Sequence, residues 1–354
     1  MMRIAIQKHG EFVHSSTDQK AYIDYCEQNK IDYELVDAFQ PDILSKLKNF
    51  DIFLWEQSIH SYSNQIIGRS LLNAVESLGI KVFPNFQSFW HFDNKIAESY
   101  YLEAVGAPIP KYWAIFDKND ALDWLKEQAV FPIVAKLKAG AGGNNVRLIR
   151  GLSEGKRYVK RMFGRGFSPA PKLLFKVASQ YKSSRGNWEK MKSRIARAPE
   201  FFHNYFDAKH FPNETGYVYF QEFIPNDGFD IKVIVVNKKI SYIIRGNRQD
   251  DFRASGSGYL EYNREKVPTN VLISARDTAE KMNIPKVGFD YVIDNRTGEG
   301  KIVEMCCGYV AHATDAAGGY WDYDLNWHEN DGVLNSVKEL LDMMTAQVRA
   351  EKGR

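Results

Sequence analysis

Cysteine is scarce in this chain. Three residues, Cys26, Cys306 and Cys307, among 354 cannot make a disulfide framework, and such sparing use suits a reducing compartment. Long apolar runs are missing too. Nothing approaches the ~18 apolar residues needed to cross a bilayer, and the opening MMRIAIQKHGEF reads as a strand without the apolar core of a secretory leader. A cytoplasmic protein is the expectation. An excess of one charge is also absent, the formal net being +3. There is no GxxxxGK[ST] run, so an ordinary P-loop is excluded, and His312 and His328 lie too far apart for a local metal motif such as HExxH. No nucleic-acid motif is present, and no nucleic-acid partner is expected.

What is there is ordinary globular material: 44% apolar and 26% charged residues, over a length that suits two or three domains around a shared site. The first ~90 residues alternate short strands (Arg3 to Gln7, Tyr33 to Val36, Ile52 to Trp55, Lys81 to Phe83) with helices (Gln19 to Asn29, Ile43 to Leu47, Ile66 to Leu78), the pattern of an open parallel sheet in an α/β domain. A helix capped by Asp93 or Asn94 runs to Val105. Lys95 sits in its first turn, where the helix dipole does not favour a cation. A second helix, Asn119 to Gln128, leads into the stretch Phe131 to Leu148.

That stretch, FPIVAKLKAGAGGNNVRL, carries the densest signal. Ile133 to Ala135 make a buried strand. Lys136 and Lys138 follow on one face. The cluster AGAGGNN then supplies Gly140, Gly142 and Gly143 before an apolar strand resumes at Val146. Backbone amides on such a loop can wrap phosphate oxygens, and a lysine at its mouth adds a point charge for the same phosphates. A plain hairpin with a flexible tip reads the same residues equally well.

Between Gly155 and His210, fourteen lysines and arginines stand against three acids, a net of +11, so the remainder must carry −8 to give the chain's +3. Aromatic residues from Phe163 to Tyr205 are interleaved. Such a segment suits a solvated helical insertion first, then a phosphate-bearing substrate or an anionic membrane surface, and last nucleic acid, because charge alone does not distinguish polyanions. Downstream come a strand at Val218 to Phe223, a hairpin of Ile231 to Val236 with Ile240 to Ile244, a helix at Val271 to Asn283, strands at Gly288 to Ile293 and Lys301 to Met305, and a terminal helix at Val333 to Ala350.

Over roughly Phe92 to Met305 the ordered pieces IVAKLKAGAGGNNV, QEFIPNDGFDIKVIVVNKK, IIRGNRQDDFRASGSGYL, GFDYVID and KIVEM resemble the ATP-grasp ligase family, and within it the glutathione-synthetase-like branch that includes ribosomal-protein glutamate ligases. The resemblance implies an ATP-grasp fold of mixed α/β class with an N-terminal open α/β (pre-ATP-grasp) domain over residues 1–90, a lid subdomain with the glycine loop over 91–152, a basic helical insertion over 153–215 and a C-terminal subdomain with the metal site and terminal helix over 216–354. It implies that Lys95 and Lys136 hold ATP phosphates under the loop Gly140 to Gly143. Gln221, Glu222, Phe223 and Ile224 would form the adenine hinge, and Asp230 would accept from the ribose hydroxyls. Asp290 and Glu304 would hold Mg2+, a hard ion usually bound by one or two carboxylates plus phosphates. Arg245 and Arg253 would serve the substrate side as catalytic arginines, since a guanidinium fork suits a carboxylate or an acyl phosphate. The reaction implied is ATP-dependent joining of a carboxylate to an amine through an acyl phosphate.

The chain departs from the family at one place. Where the last strand usually reads Glu-x-Asn, this one reads Glu304-Met305-Cys306, and a thiol is a poor ligand for magnesium. This puts a second metal position in doubt. An ATP-binding protein without ligase turnover is therefore the rival reading, and a basic module docking on anionic lipid or polymer is another. The partners expected are ATP, a small-molecule, peptide or surface-glycan carboxylate, and an amine, with the basic segment favouring a lipid-linked or phosphorylated acceptor. Relatives of this family are often homo-oligomers. The aromatic stretch from Tyr309 to His328 has no counterpart to which a role could be given.

Overall fold

In the computed structural model, the residues described are 2–8, 18–56, 61–140, 145–169, 210–248, 251–254, 258–309, 315–329 and 334–353. The first sheet holds β1 (Arg3–Gln7), β2 (Asp32–Val36), β3 (Ile52–Leu54) and β4 (Lys81–Phe83), all parallel and ordered β2-β1-β3-β4. Helices α1 (Gln19–Gln28), α2 (Ile43–Leu47), α3 (Tyr62–Ser77) and α4 (Phe86–Phe89) connect or follow the strands. Helix α3 begins four residues before its apolar pattern, because Ser61 caps it by accepting the Asn64 N–H at 3.2 Å. Its far end stops at Gly79, whose φ of +80° ends a helix without strain.

Helix α5 (Lys95–Ala104) is capped by Asn94, whose side chain accepts from Ala97 N–H at 3.2 Å. It leads into the lid, an antiparallel sheet of β5 (Tyr112–Ile115), β6 (Ile133–Lys136), β7 (Val146–Ile149) and β8 (Val218–Glu222) in the order β5-β8-β6-β7. Helices α6 (Lys118–Glu127) and α7 (Leu152–Met162) cover it and bury Trp124, Tyr158, Val159 and Met162 against Phe220 and its neighbours. Two expected boundaries are thereby corrected. The basic segment opens as lid helix α7, whose apolar face is core and whose Lys156, Arg157 and Lys160 are exposed. The lid also extends past residue 216, because β8 hydrogen-bonds β5 and β6. The bulk of the basic segment, 170–209, lies outside the described residues.

The third layer is a seven-stranded sheet, ordered β13-β12-β9-β10-β14-β15, with β11 beside β10. Its strands are β9 (Phe229–Val236), β10 (Lys239–Gly246), β11 (Leu260–Glu261), β12 (Lys286–Ile293), β13 (Gly300–Cys306), β14 (Gly319–Asp322) and β15 (Trp327–Glu329). The β9–β10 turn places Asn237 and Lys238 at φ +46° and +61°, the twist that matches a two-residue hairpin. Helix α8 (Thr269–Met282) packs Val271, Leu272 and Ala275 on Val233, Phe289 and Tyr291. The unassigned aromatic stretch supplies β14 and β15, which extend the sheet with Trp321 facing Trp327.

Helix α9 (Ser336–Lys352) does not close the C-terminal unit as expected. Its Val337, Leu340, Leu341, Met344 and Val348 belong to the core of the first domain, and Tyr25 Oη donates to Asp342 Oδ1 at 2.7 Å. The chain therefore ends where it begins, and the first and last domains share a core. A buried ion pair reinforces the join: Lys286, 1% exposed, donates to Asp18 Oδ2 at 2.9 Å.

Candidate active site

Strand register sets the floor of the site. Asp290 on β12 stands directly opposite Glu304 on β13, beside a bulge between Asp290 and Tyr291. Lys232 on β9 stands opposite Asp290 on its other side, and Asp230 faces Arg245 across β9 and β10. Because side chains alternate along a strand, these charged groups share one face while Ile231, Val233 and Phe289 on the other face make core. The sequence alternates accordingly in Asp230-Ile231-Lys232-Val233.

A cleft opens above this face, lined by Lys136, residues Gln221 to Ile224, Asp230, Arg253, Asp290 and Glu304. The hinge residues leave the end of β8. Glu222 N–H donates to Lys111 O at 2.8 Å, and Phe223 meets the Phe252 ring edge-on at 6.3 Å, so the loop bearing Arg253 folds over the hinge.

The two lysines converge from different elements. Lys136, at the end of β6, is 6% exposed and donates to Val303 O, one residue before Glu304, at 3.0 Å. Burial, with Lys95 adding to it against the pull of Glu304, brings its pKa down to about 8. Lys95 donates to Gly140 O at 2.6 Å and lies 3.7 Å from Glu304. Burial lowers its pKa, but Glu304, Glu98 and Asp93 outweigh that and hold it above the ordinary value. The carboxylates explain why a cation tolerates the first turn of α5, which the helix dipole alone does not.

The root of the glycine loop is pinned by two acids. Asp93 Oδ1 accepts from Gly140 N–H at 2.6 Å. Glu214 accepts from Lys138 N–H at 2.9 Å and Ala139 N–H at 3.0 Å, and Tyr217 Oη donates to the same carboxylate. At Gly140 φ is +110°, and a Cβ would come within 2.0 Å of Asn145 Nδ2, so any side chain there is strained and must displace Asn145. Gly142 and Gly143 lie outside the described residues.

The arginines separate. Arg253 lines the cleft and is held by Asp251 at 2.5 Å. Arg245 was expected on the substrate side, yet its guanidinium bridges acids of the floor: Asp230 through two hydrogen bonds of 2.7 and 2.8 Å, and Asp290 at 2.8 Å. Asp290 is buried, which alone would raise its pKa, but Arg245 and Lys232 reverse this and bring it down to about 2. Sequence reading missed Lys232, Glu214 and Glu98. Glu98 is buried on α5 beside Lys95 and accepts from the Met305 backbone N–H. Its spacing of three from Lys95 was the available signal, one helical turn on the same face.

Among the described residues no three His, Cys, Asp or Glu converge on one point. Two facing carboxylates at the cleft floor are nevertheless what a magnesium ion takes when water and phosphate complete its octahedron, so Asp290 and Glu304 fit. Cys306 shares their face of β13, but its Sγ donates to Gly308 O at 3.0 Å.

Three sheets in this arrangement, with a glycine-loop hairpin lid over a floor bearing paired acids, define the ATP-grasp fold. Solved structures agree. The chain is similar to a RimK domain ATP-grasp protein from Sphaerobacter thermophilus, at 13% identity over 97% of this chain and 99% of that one, with TM-score 0.55. It is similar to the D-alanine–D-alanine ligase of Bacillus anthracis at 16% identity, covering 100% and 99% with TM-score 0.57. The ATP-grasp ligase PsnB, solved with minimal precursor, Mg and ADP, matches at 10% identity over 98% of each chain with TM-score 0.54. No family model and no curated protein matches the sequence.

Proposed function

We propose that the chain is an ATP-dependent carboxylate–amine ligase that uses Mg2+. The observation that carries this reading is the placement of Asp290 opposite Glu304 in a cleft also lined by Lys136 and the hinge Gln221 to Ile224. The solved neighbours, ligases of the same fold, support it.

In this reading the hinge backbone reads the adenine edge and Asp230 accepts from the ribose. Arg245 occupies only part of that carboxylate's acceptor capacity, since a carboxylate has about four lone-pair sites. Lys136 and Lys95 neutralise the phosphates. Magnesium on Asp290 and Glu304 would supply charge neutralisation at the transferred phosphoryl group. Arg253 orients the substrate carboxylate, whose oxygen takes the γ-phosphoryl group to give an acyl phosphate and ADP. The amine then attacks the carbonyl carbon, and phosphate leaves as the amide forms. Positioning and charge neutralisation do most of the work in such a transfer.

The test is calorimetric titration of ATP with magnesium into the wild type, Lys136→Ala and Glu304→Gln. Magnesium-dependent binding weakened by both changes supports the site, and no binding by the wild type at millimolar ATP defeats it. A screen of amino acids, peptides and uronic-acid sugars against amines, read by ADP release, then separates a ligase from the rival that Cys306 favours, a nucleotide-binding protein without turnover.

A further inference from the structure

Lys232 has no role in that reading, yet it is set directly against the metal-side acid. Its ammonium pairs with Asp290 Oδ1, and Arg245 takes Oδ2 at 2.8 Å. Both oxygens are engaged by cations, so a divalent ion reaching this carboxylate must displace one. The two cations are not equally movable. Arg245 is tied to Asp230 by two further hydrogen bonds of 2.7 and 2.8 Å, through a rigid planar fork. Lys232 presents a point charge on a flexible four-carbon stem.

The surroundings accommodate that ammonium. The backbone beside it is Gly288, where a Cβ would lie 3.6 Å from Lys232 Nζ and 3.2 Å from the Tyr309 ring. Opposite Gly288 on β13 stands Cys306, a small residue. The second acid repeats the pattern, since Glu304 carries Lys95 at 3.7 Å. Once displaced, a largely buried ammonium needs another anion, and in the nucleotide reading above the cleft floored by Asp290 is where phosphate would arrive.

We propose that Lys232 is a stand-in for the metal: it neutralises Asp290 until a divalent ion displaces it, and the freed ammonium then holds a nucleotide phosphate. The inference rests on the nucleotide reading above. It makes Lys232 a positioning residue that couples metal to nucleotide, and by linkage each ligand must strengthen the other through it.

The probe is Mn2+, followed by electron paramagnetic resonance, with wild type and Lys232→Met, each with and without a non-hydrolysable ATP analogue. Without analogue, Lys232→Met should bind Mn2+ at least about fivefold tighter than wild type, and the analogue should improve its Mn2+ affinity less than it improves the wild type's. If the wild type shows nucleotide-dependent Mn2+ binding but Lys232→Met binds the ion no tighter, the inference falls and the ligase reading stands. If the wild type binds neither ion nor nucleotide, both fall. A second measurement uses the unaltered chain, so that a misfolded variant leaves the test intact. Lys232 acylation by an amine-reactive reagent, mapped by mass spectrometry, should be slow alone, faster with Mn2+, and slow again with Mn2+ and analogue. Indifference to Mn2+ overturns the proposal.

Discussion

The carboxylate of Glu214 accepts the backbone N–H groups of Lys138 and Ala139, at 2.9 and 3.0 Å, and so holds the root of the glycine loop from across the lid. Neither Glu214 nor its partners bear on the cleft directly, which makes the contact a means of separating loop anchoring from phosphate contact. Glu214→Gln keeps the size but replaces one acceptor oxygen with an N–H2; Lys138 N–H retains Tyr217 Oη as a second acceptor at 2.7 Å, so the donor left exposed to loss is Ala139 N–H. About 1–3 kcal/mol of stability should be lost for that stranded donor, measured by urea unfolding. Nucleotide affinity should fall with it, while Lys136 keeps its own contact.

Gly140→Ala should be more severe for binding than for stability. The added Cβ meets Asn145 Nδ2 at 2.0 Å, and φ of +110° strains any side chain. A loss of nucleotide affinity of at least about tenfold is expected, equivalent to about 1.4 kcal/mol. The double change Gly140→Ala with Asn145→Ala should recover only part of it, because the clash is relieved and the backbone strain is not. Full recovery in calorimetry would show that the strain is negligible.

Lys136 gives a pH dependence with a definite sign. Its pKa is brought down to about 8 from 10.5. Below about pH 8 the side chain is an ammonium and attracts phosphate; as pH rises through that value the charge is lost. Nucleotide affinity should therefore fall between about pH 7 and 9, and Lys136→Arg should flatten the fall, since guanidinium stays charged. Stability moves the other way. Between about 8 and 10.5 the unfolded chain holds more protons at this group, so its contribution to stability rises with pH. Calorimetry and denaturant titration over the same pH range check both signs.

Asp18 and Lys286 test the join between the first and last domains. Asp18→Ala leaves an ammonium that is 1% exposed without its carboxylate, and breaking a buried pair in this way costs about 3–5 kcal/mol. Lys286→Met should cost less, because the group left behind, Asp18, is 16% exposed and can be solvated. In a double-mutant cycle the paired change should lie closer to Lys286→Met than to Asp18→Ala. Additive losses would mean that the pair does not couple the domains.

Only part of the candidate site was legible from the residues alone. Lys136 and Gly140 stand out from the residues alone, as a lysine at the end of a short apolar strand and a glycine in a turn cluster; the hinge at Gln221 to Ile224, Asp290 and Glu304 follow only from the resemblance of the ordered motifs, since both acids lie inside strands β12 and β13. The roles of Arg245 and Lys232 were not legible. Lys232 lies inside the run Asp230-Ile231-Lys232-Val233 and Arg245 closes the run Ile243-Ile244, and only strand pairing reveals that each faces an acid. Helix α9 misled for a similar reason: its apolar stripe (Val337, Leu340, Leu341, Met344) shows that it packs but not on what.

The amino-acid order by itself determined the periodicities, hence the strands and helices, and the chemical types available at each loop and strand end. Those are local properties, written within a few residues. Tertiary structure alone decided which polar groups meet: Lys95 with the Gly140 carbonyl, Glu214 with the loop root, Lys232 and Arg245 with Asp290, Asp18 with Lys286. Electrostatic and hydrogen-bonding partners are selected by distance in space, and burial strengthens each pairing by removing the water that would screen it. No local pattern records either quantity.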